Sequence, residues 1–156
     1  MNLKTSELLN ENLTFLNIDL NDKESIFKFV SLKLKDTNSV SSVEEFIKAL
    51  NERESLGSTF MGNSIAIPHG KSRCVYESSL SFIKLKEPIR YESNDDSGMV
   101  DLIFTFAIPK EKEGNEYLKL LSNLARLLMR QEFINSIRNA NSFDEVLSTF
   151  RKYDNN

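Results

Sequence analysis

One imidazole and one thiol carry the most distinctive chemistry in this sequence. His69 is the only histidine and stands between Pro68 and Gly70, and Cys74 is the only cysteine. One histidine cannot furnish a His-rich metal site. One cysteine cannot form an intrachain disulfide, and the C-x-x-C and Cys/His zinc patterns are absent. Neither G-x-x-x-x-G-K-[ST] nor G-x-G-x-x-G occurs, so no nucleotide loop is expected. Three roles compete for His69. It can be an ordinary turn histidine. It can be a general base for a nearby hydroxyl such as Ser58 or Thr59, although no third group to orient it is evident. It can also be a nucleophile, because an imidazole of ordinary pKa about 6.5 is mostly neutral at pH 7 and offers a free ring nitrogen.

The surrounding loop must position this group. Residues 57–70 read Gly-Ser-Thr-Phe-Met-Gly-Asn-Ser-Ile-Ala-Ile-Pro-His-Gly and hold three of the five glycines. Ile65 and Ile67 alternate with small residues, which predicts a short strand into a turn at Pro68-His69-Gly70. Upstream, 13–20 alternates weakly and reads as a first strand. Asn21 with Glu24 reads as a helix start, followed by Ile26, Phe29, Val30 and Leu34. Ser42 and Glu45 form a second capping pattern, and Val43, Phe46, Ile47 and Leu50 follow at helical spacing. That helix is expected to stop near Ser55 to Gly57, with glycine in a left-handed turn.

Downstream, 79–85 reads as a strand stopped by Pro88, with Asp95 and Asp96 in a solvated turn. Residues 100–108 make the strongest strand. Val100, Leu102, Phe104, Phe106 and Ile108 share one face and the other is mostly apolar, so the strand should lie centrally, covered on both sides. Residues 116–130 are leucine-rich at helical spacing and should be largely buried. Ile134 and Ile137 mark a short helix, and Ser142 with Glu145 caps a last one. The end, 153–156, is polar and expected to fray. Strands alternating with helices indicate an α/β fold, a single domain over 1–156 with a central mixed β-sheet flanked by helices.

Composition narrows the function classes. The chain has 156 residues, 20 basic against 23 acidic, with a net charge of -3 and no basic run. Binding driven by nucleic-acid phosphates or anionic lipid is therefore not expected. No apolar stretch approaches the roughly 18 residues of a membrane span. The first residues lack the apolar segment of a secretory signal, so a soluble cytoplasmic chain is expected. Eleven phenylalanines can build a core and exclude general disorder. The high asparagine content reads as compositional bias.

The segments Asn51-Glu-Arg-Glu-Ser-Leu-Gly-Ser-Thr59 and Gly62-Asn-Ser-Ile-Ala-Ile-Pro-His-Gly70 together resemble the active-site signature of the fructose/mannitol-type enzyme IIA domains of the bacterial sugar phosphotransferase system. Val100-Asp-Leu-Ile-Phe104 and Tyr117-Leu-Lys-Leu-Leu-Ser-Asn-Leu-Ala125 are similar in the same order, so the likeness runs over about 13–150. The resemblance implies that His69 accepts a phosphoryl group from the phosphocarrier HPr, through Nε2, and passes it to an enzyme IIB domain, with an IIC permease beyond. It implies that Arg53 steadies the phosphoryl oxygens, where the residue alone would read as a solvated helix-end cation, and it offers Ser58, Thr59, Gly70 and Tyr117 as phosphate contacts, with Ser58 and Thr59 able equally to serve only the turn. It implies no bound metal or nucleotide. Tyr117 stands where the family commonly has a second histidine; it can donate a hydrogen bond but cannot carry an imidazolium charge. Cys74 reads as an incidental thiol, and Phe60 and Met61 as an apolar collar for docking partners or as residues buried under the sheet. The rivals are a regulatory, nitrogen-type enzyme IIA acting by protein binding, an enzyme on small metabolites using His69 as base, and an inactive remnant.

Overall fold

The alternation of signals resolves into one sheet with helices on both faces in the computed structural model, which describes residues 4–93, 96–111 and 115–154. The strands are Thr14–Ile18 (β1), Phe60–Gly62 (β2), Ile65–Ala66 (β3), His69–Ser72 (β4), Ser79–Tyr91 (β5) and Gly98–Pro109 (β6). The helices are Thr5–Leu8 (α1), Lys23–Asp36 (α2), Val43–Ser55 (α3), Asn115–Leu128 (α4), Gln131–Asn139 (α5) and Phe143–Asp154 (α6). The sheet runs β1-β5-β6-β3-β2, so it is mixed: β1–β5 and β3–β6 are parallel, while β5–β6 and β2–β3 are antiparallel.

The central position expected for β6 is what the structure shows. One layer joins Leu102, Phe104, Phe106 and Ile108 to apolar faces of α4, α5 and α6. The other joins Ile103 and Ala107 to α2 and α3. Seven phenylalanines are buried, among them Phe82 stacked on Phe104 and Phe133 set edge-on to Phe150. Each contributes roughly 1.5–3 kcal/mol of burial. Val100 departs from the expected face and joins the α2/α3 layer. The register of β5 against β6 slips beside it, between Lys84 and Ile89.

The same slip explains the longest misreading. Pro88 was expected to end the strand, yet β5 continues to Tyr91. Pairing with β1 stops at Leu85 and pairing with β6 resumes at Ile89. Pro88 therefore sits in an irregularity where no ladder hydrogen bond is asked of it.

Local capping is close to expectation, with one shift. Asp22, not Asn21, caps α2: its Oδ1 accepts from Ser25 N–H at 2.8 Å, and Ser25 Oγ accepts from Asp22 N–H at 3.1 Å. Phe27 turns inward on this helix, and Phe29 is left partly exposed against Phe15. Ser42 caps α3 by accepting from Glu45 N–H, and Ser142 caps α6 in the same way. In α4, Leu120, Leu124, Leu127 and Leu128 are buried, but Leu118 is exposed, so that helix is amphipathic and not largely buried. The tail does not begin to fray at Tyr153, which is buried in the core, while Asp154 accepts from Ser6 N–H at 2.7 Å and ties α6 to α1. α1 had no signal in the sequence reading. Asp95, part of the expected acidic turn, lies outside the described residues.

Asparagine has a backbone use here beyond composition. Asn17, Asn38 and Asn63 all adopt positive φ, as Asn tolerates better than most residues. Asn17 sits at the bulge of β1. Asn63 (φ 52°) and Ser64 (φ 64°) form the two-residue turn of the β2–β3 hairpin, the geometry of a type I′ turn. Arg138 of α5 braces that turn, donating through Nη2 to the Asn63 carbonyl and through Nη1 to both oxygens of Asp101.

The strand edge that carries His69 follows from this frame. β3 and β4 lie in succession along one edge of β6, Ile65 opposite Leu102 and His69 opposite Phe106. Pro68 breaks the line between them, and its carbonyl accepts from Phe106 N–H at 3.1 Å. α3 crosses over β4 at Gly70. A Cβ there would lie 2.9 Å from Phe46 Cε1 and 3.3 Å from Ala49 Cβ. Phe46 is fully buried and has nowhere to withdraw. Gly70→Ala is expected to cost about 1–3 kcal/mol by overpacking, seen as a lower denaturant midpoint with an unchanged slope; an unchanged midpoint would show that α3 yields freely.

Candidate active site

The close approach of α3 to β4 brings the last turn of the helix over the first residue of the strand. Arg53 Nε–H donates to His69 Nε2 at 2.9 Å, and Arg53 Nη1 donates to the Gly57 carbonyl at 2.8 Å. A guanidinium never accepts, so Nε2 must present its lone pair. The ring proton is then on Nδ1, which donates to the Ile67 carbonyl at 3.0 Å. Both ring nitrogens are thus assigned, and the ring is neutral.

His69 is 7% exposed, set behind Arg53 and beside Tyr117. Burial pulls its pKa below the ordinary imidazole value. The Ile67 carbonyl pulls it back up, the Arg53 charge lowers it further, and Glu54 raises it. The Tyr117 ring centroid is 5.8 Å from that of His69, tilted by 49°, with Lys71 Nζ 5.6 Å over the tyrosine ring. Burial raises the Tyr117 pKa while Arg53 opposes that shift, so Tyr117 keeps its proton.

The loop after α3 supplies the remaining partners. Gly57 follows the helix with φ 154°, a conformation that favours glycine, although not the left-handed helical turn expected. Ser58 Oγ accepts from Phe60 N–H at 3.1 Å, which shapes the turn. The Thr59 hydroxyl is buried and donates to the Glu54 carboxylate, leaving its oxygen to accept from Tyr91 O–H at 2.8 Å. Ser93 Oγ, at 3.3 Å, and Lys23 Nζ, at 3.5 Å, reach the other carboxylate oxygen of Glu54. Burial, then the Glu54 charge, raises the Tyr91 pKa strongly, so its hydroxyl stays protonated and donates.

The structure brings together His69, Arg53, Tyr117 and Gly70, with Ser58 and Thr59 in the adjoining loop. Gly70 acts through packing, by admitting α3. Phe60 is half-buried against Gly98, where an added Cβ would collide with its ring, while Met61 is 47% exposed. Cys74 is buried. Three participants were missed. Ile67 contributes through its backbone, which side-chain pattern cannot flag. Tyr91 lies beyond the proline that was expected to end its strand. Glu54 did leave a trace, as a carboxylate in the last turn of a helix, where the dipole disfavours it.

The chain is 34% identical over 148 residues to the PTS system 2-O-alpha-mannosyl-D-glycerate-specific EIIABC component of Escherichia coli, covering 95% of this chain and 22% of that protein. It thus spans about a quarter of the length of such EIIABC relatives. A mannitol-specific phosphotransferase enzyme IIA component of Bacillus subtilis is 33% identical, with 93% and 96% covered. Among solved structures, the nitrogen regulatory protein IIA-Ntr of Neisseria meningitidis superposes with a TM-score of 0.83 at 30% identity, covering 93% of this chain and 97% of that one. The enzyme IIA of the Escherichia coli mannitol system, solved in complex with phosphorylated enzyme IIB, gives 0.74 at 26% identity, covering 92% and 97%. The family described as phosphoenolpyruvate-dependent sugar phosphotransferase system, EIIA 2, matches residues 7–153, and the chain belongs to it.

Proposed function

We propose that this protein is a phosphoryl carrier whose acceptor is Nε2 of His69. The observation that carries the reading is the hydrogen bond from Arg53 Nε to that nitrogen. It requires a neutral ring with its lone pair on Nε2, and it parks a permanent cation where phosphoryl oxygens would arrive. HPr carrying phosphohistidine docks at this face, and Nε2 attacks phosphorus in line. The Nε2–P bond forms as the donor P–N bond breaks, and the electron pair leaves with the donor nitrogen. Positive charge grows on the His69 ring, and the Nδ1–H···O bond to Ile67 supports it. Arg53 gives up Nε2 before the attack, because the lone pair that accepts its hydrogen bond is the one that forms the new bond, and the guanidinium turns to the phosphoryl oxygens. A transferred group brings roughly -1.5 to -2 charges by analogy with other phosphorylated side chains. An enzyme IIB domain then takes it by the reverse geometry. Tyr117, beside His69, and Ser58 are further phosphate contacts; Thr59 acts from behind, through Glu54.

The domain reading is one phosphotransfer unit over 1–156, working in the cytoplasm with IIB and, beyond it, an IIC permease. Fructose- or mannitol-type sugar uptake is the process served. A second reading, regulation by phosphorylation-dependent protein binding, is favoured by the likeness to IIA-Ntr at TM-score 0.83. Transfer onward to a mannitol- or fructose-type IIB separates the two.

Incubation with enzyme I, HPr and phosphoenolpyruvate is expected to label the protein with an acid-labile, base-stable phosphate that His69→Ala loses. Unchanged labelling of that variant would overturn the reading.

The pH dependence has a defined sign. The folded-state pKa of His69 lies below 6.5, so the neutral ring's contribution to stability is fully present above pH 6.5 and is lost as pH falls toward the folded value. By NMR, His69 is expected to titrate below 6.5. Arg53→Gln should move that midpoint upward, not fully to 6.5 because burial remains, and slow phosphoryl acceptance roughly 100-fold or more. A midpoint unmoved by this substitution would show that Arg53 does not act on the ring.

A further inference from the structure

We propose that Glu54 is a positioning residue that fixes both nitrogens of His69 from behind, through Thr59 and the Gly57–Thr59 segment. Its side chain is 7% exposed and lies in the last turn of α3. A buried carboxylate there is opposed by desolvation and by the helix dipole alike. It is held nonetheless by contacts from four separate parts of the chain: Thr59 after α3, Tyr91 at the end of β5 by way of Thr59, Ser93 beyond it, and Lys23 at the start of α2.

Two paths lead from this hub to the imidazole. In the first, Glu54 anchors Thr59, and the Thr59 carbonyl accepts from Ile67 N–H at 2.9 Å. That bond anchors the backbone of Ile67 on its amide side, and the carbonyl of the same residue takes the Nδ1 proton of His69. In the second, anchoring Thr59 fixes the short segment from Gly57, whose carbonyl holds Arg53 Nη1 and so aims Nε at Nε2. The carboxylate touches neither ring nitrogen. It sets which nitrogen bears the proton and which one faces the arginine. Hydrogen-bond direction makes the charge necessary: an ionised carboxylate only accepts, so Thr59 must donate to it, and Tyr91 must then donate to Thr59. A carboxamide in its place offers donors as well and lets the chain of directions reverse.

The activity readout rests on the phosphoryl-carrier reading, whereas the tautomer readout does not. Glu54→Gln and Thr59→Val are to be compared with wild type by nitrogen-15 NMR of the His69 ring and by phosphoryl acceptance from phosphorylated HPr. Both variants are expected to lose the single tautomer, showing a mixture of Nδ1–H and Nε2–H forms. Acceptance should slow about tenfold or more, with little change in the HPr concentration for half-maximal rate. Thr59→Ser, which keeps the hydroxyl, should restore the tautomer and rate lost in Thr59→Val, and the Glu54→Gln/Thr59→Val double variant should be no worse than either single one. A wild-type ring tautomer in Glu54→Gln or Thr59→Val, whichever folds, would overturn the proposal. If wild type itself takes no phosphate while the variants still scramble the tautomer, the carrier reading fails and the positioning role stands.

Discussion

A single hydrogen bond, from a guanidinium to the lone pair of an imidazole, sets the terms for the rest of this molecule. It forms only if the ring is neutral, if its proton sits on the far nitrogen, and if the last turn of α3 lies almost in contact with β4. Each condition is met by a different level of structure. Burial and the neighbouring cation keep the ring uncharged. A backbone carbonyl two residues away takes the proton. The missing side chain at Gly70 lets Phe46 and Ala49 down onto the strand. The site is therefore not a set of residues placed on a finished scaffold, because helix packing and ring chemistry are the same constraint.

Arg53 and Glu54 are adjacent in sequence and yet serve opposite sides of the site. One faces forward to His69 and the Gly57 carbonyl, and the other backward to Thr59, Ser93 and Lys23. Neighbours at one residue's separation on a helix do not face each other, which is what allows this division. The two charges act on the imidazole with opposite signs: burial lowers its basicity most, Arg53 lowers it further, and Glu54 raises it.

Much of this was legible in the residues. The apolar run of β6 announced a strand covered on both faces, and the serines before α3 and α6 marked their first turns correctly. His69 stands out as the only histidine, whereas Arg53 is marked only by the family resemblance and would otherwise read as a solvated helix-end residue; the structure sets the two in hydrogen-bond contact. What escaped was non-local or carried by the backbone. Pro88 ends a strand by local rules, but a register slip absorbs it, and with it Tyr91 was lost from view. Tyr153 looked like part of a polar tail because its neighbours are polar, while its ring packs edge-on to Phe133 in the core. The asparagines looked like composition until their φ values showed three of them at left-handed positions.

The parallel alignment of β3 and β4 with β6 has a kinetic consequence. Ile65 meets Leu102 and His69 meets Phe106 only after a long intervening stretch of chain has been closed into a loop. Pairings of that range are slow to form because loop entropy is lost before contact energy is gained. The burial of His69 is thus complete only when β6 has docked beside β4. The enclosure of that ring is therefore a later event than its contacts with Arg53 and Ile67, which lie close to it in the chain.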